Sequence, residues 1–237
     1  LSGLASVTKS DAKRFESITS NNKILIEVLE FIREKNLKKI KILNASSSEI
    51  FARNKNTNNE KSEINPASYY GLAKSISTEI IRAYRSQFGI KAFNAILFNH
   101  ESPLRPSEYV IQKIVKKSKK ITSNKNNKIS LGNLEVSRDW GWAKEYVYIM
   151  TKLIKLNQSD DYIISTNQNK KLRDIVKYIF LYYGLNYKKF IHQKKNLFRT
   201  YEVKKISGNN KKLINAIKYK PKIFIKLIIE KMINKEY

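Results

Sequence analysis

Short apolar runs alternate with stretches of helical period along this chain, and that alternation constrains its fold more than any other feature. Residues 22–36 set Ile24, Leu25, Val28, Leu29 and Ile32 on one face of a helix. Residues 39–45 are apolar but too few for a helix, and they run into Ser46, Ser47 and Ser48, so they read as a buried strand entering a polar loop. Residues 69–88 return to helical period and are stopped by Gly89; residues 92–98 form a second apolar run. Further helices are predicted over 109–120, 142–156, 172–183, 211–217 and 221–232, and further strands over 128–131 and 162–165. The polar stretches 54–65 and 122–128 read as loops. Helices alternating with short buried strands predict an α/β fold with a parallel sheet.

Around residues 98–105 the elements shorten and the loops lengthen. We place a boundary there, with a nucleotide-binding layer over 1–100 and mainly a smaller α/β substrate-binding lobe over 101–237. A chain of 237 residues is long enough to bury such a core.

Composition removes several classes of function. With no Cys there is no disulfide, thiolate nucleophile or Cys-ligated metal. The two histidines, His100 and His192, do not by themselves make a metal site, so none is expected. A reducing cytoplasm is the natural compartment for such a chain. No apolar run approaches the ~18 residues of a membrane span. A net charge of +27 is ordinarily the footprint of a nucleic-acid binder. Here 38 Lys, 24 Asn and 32 Ile stand against 9 Arg, the bias that AT-rich codons impose, and the lysines are spread over the whole chain. Nucleic acid is therefore not expected as a partner.

The chemistry begins with Tyr70 and Lys74, four apart on one helix face. A phenol is a poor base at neutral pH, and a neighbouring ammonium favours its ionised form. Such a Tyr can take a proton from a hydroxyl while hydride leaves the same carbon. Ser47 and Glu49 lie just past the end of a predicted strand, where open parallel sheets hold their ligands. A hydroxyl there can bond the reacting oxygen, and a carboxylate can abstract a proton beside a carbonyl. A solvated helix face and a polar turn capped by Ser47 or Ser48 are the plain alternatives.

The runs Asn44-Ala45-Ser46-Ser47-Ser48-Glu49 and Tyr70-Gly71-Leu72-Ala73-Lys74 resemble the extended short-chain dehydrogenases/reductases that act on nucleotide sugars. Residues 97–105, with Asn99-His100-Glu101-Ser102-Pro103, resemble the GDP-mannose 4,6-dehydratase family within it. So do Leu131-Gly132-Asn133-Leu134, Arg138-Asp139-Trp140-Gly141 and Ala143-Lys144-Glu145-Tyr146-Val147. The resemblance implies a Rossmann-like parallel sheet, NADP as cofactor, GDP-mannose as substrate and a homodimer or homotetramer. It implies catalytic places for Ser47, Glu49, Tyr70 and Lys74, the last two also meeting the cofactor. It puts His100 and Arg105 at the NADP, and Asn99, Lys113, Asn133, Arg138, Arg199 and Glu202 at the nucleotide sugar. The implied reaction is a lyase's: oxidation at C4, loss of water across C5 and C6, and return of hydride to C6. A sister epimerase or reductase would not need Glu49; a non-catalytic remnant is the third alternative.

Several positions depart from the family pattern. Ser47 stands for Thr, Tyr69 for Pro, Leu104 for Arg, and Trp142 for His or Tyr. No Gly-x-x-Gly-x-x-Gly turn for a dinucleotide pyrophosphate occurs among the 7 Gly. Residues 1–7 resemble the strand end after a third or fourth β-α unit, so the chain reads as an N-terminally truncated member.

Overall fold

The computed structural model describes residues 7–199 and 201–237, with Thr8, Lys9 and Asn21 by backbone alone. The expected strand end at residues 1–7 thus falls mostly outside the described residues, and at Val7 a helix begins. The elements are α1 (Val7–Ala12), α2 (Arg14–Glu34), β1 (Lys41–Ser47), α3 (Tyr69–Phe88), β2 (Lys91–Leu97), β3 (Asn99–Glu101), α4 (Val110–Ser123), β4 (Ile129–Leu131), β5 (Ser137–Trp142), α5 (Ala143–Leu153), β6 (Asp161–Ile164), β7 (Asn169–Lys171), α6 (Leu172–Tyr182), β8 (Ile191–Gln193), α7 (Lys211–Ile217) and α8 (Ile225–Asn234). Short 3-10 turns follow β1 and flank β8.

The main sheet has the order β1-β2-β6 and is wholly parallel. Its central strand alternates faces with the period of two that strands impose. Ala92 packs with Leu29, Ile32 and Ile81 of α2 and α3. Phe93 and Ala95 pack with Tyr146, Ile149 and Leu153 of α5 and Leu213 of α7. Helices on both faces of a parallel sheet make the fold Rossmann-like α/β, as the alternation of periods predicts.

A buried polar ladder fastens α3 to this sheet. Asn44 Nδ2 donates to Asn94 Oδ1 (2.9 Å), and Asn94 Nδ2 donates to Asp161 Oδ1 (2.8 Å) and to Thr78 O (3.1 Å). Arg82 and Arg85 of α3 reach Asp161 at 2.6 and 2.9 Å. Ser46 and Thr78 share a hydroxyl bond of 2.7 Å. Each buried polar group so engaged avoids the desolvation loss of an unpaired one. Together they fix the rotation of α3 over β1.

The second lobe is built around a core of Ile111, Ile114, Trp140, Ile175, Ile179, Phe180, Ile228 and Ile229, from α4, α6, α8 and β5. Here β3-β5-β7 form a small mixed sheet and β4-β8 a parallel pair. The chain then crosses back, because β6 pairs with β2 and α5 covers the first sheet, so the two layers interleave beyond residue 100. The last helix starts at Ile225, where the sequence pattern predicts 221. The N–H groups of Lys222 and Ile223 are held by the buried carboxylate of Glu145 (2.8 and 3.3 Å), which keeps that segment out of the helix.

Candidate active site

The carboxyl end of β1 carries Ser47, and a 3-10 turn (Ser48–Phe51) follows at once. Ser47 Oγ accepts the N–H of Glu49 at 3.3 Å, so it caps this turn as well as facing the site. Helix α3 opens beside it. Ser68 caps α3 by accepting from Gly71 N (3.1 Å). A Cβ on Gly71 would sit 2.8 Å from the backbone oxygen of Glu49 and 3.1 Å from Pro66 Cβ. The missing side chain therefore lets the first turn of α3 rest on the turn that bears Glu49, with Tyr70 next to it.

Tyr70, in the first turn of α3, lies half-buried near Ser47. Burial pushes its phenol up to about 12, the Glu49 carboxylate adds to that, and Ser47 and Arg105 work against it. The Lys74 ammonium lies 5.9 Å from the Tyr70 ring centroid and donates to Ala45 O on β1 at 3.1 Å. Burial lowers its own pKa.

Glu49 is nearly enclosed, and its Oε1 lies 3.8 Å from Arg199 Nη1. Arg138, buried on β5, donates Nη1 to Ser137 O (2.9 Å). Its guanidinium is lowered by burial and feels Glu49, Arg199 and Glu202. Arg199 also donates its backbone N–H to Glu202 Oε2 at 3.4 Å. Thus Arg199, far along the chain, stands beside both Glu49 and Glu202.

The other candidates spread outward. Asn99 and His100 lie on β3, beside the end of β2. His100 Nδ1 is 2.9 Å from Phe98 O, its ring lies tilted against Tyr146 with centroids 5.4 Å apart, and burial lowers its pKa. Arg105 Nη1 donates to His100 O. Lys113 Nζ donates to Ser130 O (2.9 Å), and burial lowers its pKa. Asn133 Oδ1 accepts from Glu135 N (2.8 Å), closing a turn. Gly132 lies against Leu197 O, where a Cβ would come to 2.6 Å, so this turn abuts the segment leading to Arg199.

Two residues at the site were not legible beforehand. Glu101 is 2% exposed, and burial pushes its carboxyl up to about 7. Tyr109 lies under the Arg105 guanidinium, 4.0 Å from its ring centroid. The spacing of Glu101 and Arg105 was the available signal. Among the departures, Tyr69 has a reason: its N–H donates to Asp11 Oδ1 (3.3 Å), which Pro could not do. Leu104 is 75% exposed, whereas Trp142 is buried. Among the described residues, no group of three or more His, Asp or Glu could hold a metal ion.

This architecture defines the Rossmann-like class, and solved structures share it. Over 99% of this chain and 78% of its own, RMD from Pseudomonas aeruginosa complexed with NADPH superposes with a TM-score of 0.87 at 18% identity. The dTDP-glucose 4,6-dehydratase from Bacillus anthracis in complex with NAD gives 0.81 over 93% and 68% at 18% identity. Within that class, the family model for GDP-mannose 4,6 dehydratase matches residues 1–232, and the chain belongs to this family. GDP-mannose 4,6 dehydratase 1 of Arabidopsis thaliana is 32% identical over 89% of this chain and 59% of its own length. The Sinorhizobium fredii GDP-mannose 4,6-dehydratase is 36% identical over 65% and 45%, and the Homo sapiens enzyme 29% over 82% and 57%. The chain therefore spans less than two thirds of the length of these relatives.

Proposed function

We propose that this chain carries the catalytic and sugar-binding parts of a GDP-mannose 4,6-dehydratase, a lyase that forms GDP-4-keto-6-deoxymannose. The observation that carries this is the meeting of Glu49 with Ser47 and Tyr70 at the end of β1, with Lys74 behind them. A plain reductase or epimerase needs the hydroxyl, the phenol and the ammonium, but not a second base.

The donor set suits a dinucleotide cofactor, which we take to be NADP. Lys74 directs its ammonium to the strand end, with three donors and one carbonyl accepting. His100, Arg105, Tyr70 and Lys74 would meet the cofactor. When bound, it accepts a hydride from sugar C4 and returns one to C6. Tyr70 takes the C4 hydroxyl proton, with Ser47 holding the same oxygen. The 4-ketone then acidifies the C5 hydrogen, and Glu49 takes it. The C6 hydroxyl leaves as water, using a proton supplied from Glu49. The balance closes when C6 gains the hydride that a bound cofactor would return and C5 gains a proton, matching the one Tyr70 took from O4, so no net oxidation occurs.

Arg138, Arg199 and Lys113 supply the cations that a nucleoside diphosphate demands. Glu202 can accept from ribose hydroxyls or guanine N–H groups, and Asn99 and Asn133 offer amides. Incubating the complete protein with GDP-mannose and NADP tests the reading. Mass spectrometry should show loss of one water with no net NADPH. Recovery of an unchanged mass with an inverted C4 would assign an epimerase instead.

A further inference from the structure

The polar loop 54–65 is built onto the turn that bears Glu49. Asn65 N donates to Ile50 O (2.7 Å), Arg53 N to Asn65 O (3.0 Å) and Asn54 N to Phe51 O (3.0 Å), so both ends of the loop close on that turn. Within the loop Asn58 is buried, and all four of its polar groups are engaged. Its N–H and its Nδ2 donate to Ser207 O (2.9 and 3.0 Å), its carbonyl accepts from Asn209 N (2.8 Å), and its Oδ1 accepts from Asn54 Nδ2 (2.7 Å). Gly208, between those two partners, rests on the Phe98 ring, where a Cβ would come to 2.3 Å from Cζ. Ser207 and Asn209 belong to the segment that follows Arg199 and carries Glu202. Val203 and Ile206 of that segment pack with Ile50 and Phe51.

We propose that Asn58 is a positioning residue, which latches the segment 201–209 to the loop behind Glu49 and so sets Arg199 and Glu202 at the nucleotide-sugar site. Its weight rests on the proposed role of Arg199 and Glu202 as contacts to the nucleotide sugar. The geometry at the other end of the latch is already given: Arg199 Nη1 stands 3.8 Å from Glu49 Oε1, and Arg199 N donates to Glu202 Oε2 at 3.4 Å. Two further bonds tie the same segment to the small sheet. Ser137 N, next to Arg138, donates to Lys204 O (2.7 Å), and Asn169 Nδ2 donates to Ile206 O (2.8 Å). Those bonds fix the segment against β5 and β7, whereas Asn58 fixes it against the loop that continues from Glu49. A side chain that accepts from its own loop and donates across to the segment carries the position of one to the other. Buried and fully paired, it is costly to disturb.

Hydrogen exchange reads the latch without any ligand. In Asn58→Ala of the complete protein, the amides of 201–209 should exchange about tenfold faster or more, while those of α4 and β4 keep their rates. Calorimetry with GDP as the probe reads the consequence. Binding should weaken by about tenfold, and the KM for GDP-mannose should rise alike, with kcat changed less. A double-mutant cycle separates positioning from general loosening. In the background Arg199→Ala/Glu202→Ala, where Arg138 and Lys113 remain for the diphosphate, Asn58→Ala should cost no further GDP affinity. A merely structural role would cost the same in both backgrounds. Asn58→Asp keeps the volume and the acceptor for Asn54 but turns an oxygen to the Ser207 carbonyl. It should repeat these results, and it decides the matter if Asn58→Ala does not fold. Unchanged exchange over 201–209, or an equal loss of GDP affinity in both backgrounds, overturns the proposal. A native protein that does not bind GDP would count against the dehydratase reading instead, and the exchange rates would still judge the latch.

Discussion

At the scale of single residues, the site is set by close approaches as much as by chemistry. Gly71 is the clearest case. Ala there would press a methyl against the Glu49 carbonyl at 2.8 Å and part α3 from the turn. Overpacking of this kind costs on the order of 1–3 kcal/mol. We expect Gly71→Ala to lower the urea midpoint accordingly and to separate Tyr70 from Glu49. Glu101 offers a pH test. Its folded-state carboxyl is raised to about 7, above the ordinary value of 4.5. The native chain therefore holds an extra proton between those values, and unfolding releases it. This contribution is complete below about pH 4.5 and is lost as pH rises through about 7. Its size is on the order of 3 kcal/mol for a shift of that extent. Urea titrations of Glu101→Gln should show a flatter stability profile between pH 4.5 and 7 than the native chain. An unaltered slope would mean that the carboxyl is not what titrates.

At the scale of elements, β1, α3 and β2 were legible because their apolar runs are long and their stops are plain. The helix over Tyr69–Phe88 ends at Gly89, which has the left-handed φ of 65° that glycine adopts without strain. Ser47, Glu49, Tyr70 and Lys74 fall where the spacing puts them. The second lobe was less legible. Strands β3, β7 and β8 have three residues each, too few for any period to show. Strand β5 contains Arg138 and Asp139, whose burial depends on partners far along the chain. Asp139 accepts from Thr166 N, Thr166 Oγ1 and Gln168 N, and no local pattern announces that. The ammonium of Lys74, which reaches Ala45 O on β1, was not legible for a related reason. Helical spacing puts two residues on one face but does not say which carbonyl a long side chain will reach. The polar ladder on the main sheet supplies the element-scale test. Asp161→Ala would leave Arg82 and Arg85 without their shared carboxylate. Breaking a buried pair costs about 3–5 kcal/mol. Thermal unfolding should fall steeply, whereas Glu135→Ala, which removes an exposed partner of Lys171, should change it little.

At the scale of the whole molecule, helix α2 bears on assembly. The face of α3 that holds Ile81 and Tyr84 packs on α2 within the chain, so Ile81 is not free for a second subunit. Phe15, Ile24, Val28 and Phe31 of α2 remain exposed. We propose that the homodimer, or a dimer of dimers, forms through this outer face of α2. Sedimentation of the complete protein at micromolar concentration should give at least twice the chain mass, and Phe31→Glu should reduce it; a native monomer contradicts the assignment. The excess of Lys over Arg predicts weak duplex-DNA binding that fades with moderate salt. Nanomolar, sequence-selective binding would restore the nucleic-acid reading.

The central claim is that Glu49 is the second base, acting after Tyr70 has served the oxidation at C4. Glu49→Gln in the complete protein keeps the shape of the side chain and removes the base. With GDP-mannose, the account predicts that hydride leaves C4 but elimination stalls. The absorbance of enzyme-bound NADPH should rise and stay, while 6-deoxy product falls by about 10² to 10⁴. Tyr70→Phe should form no NADPH at all. Near-normal turnover by Glu49→Gln would contradict the account and leave Glu49 as a capped turn residue.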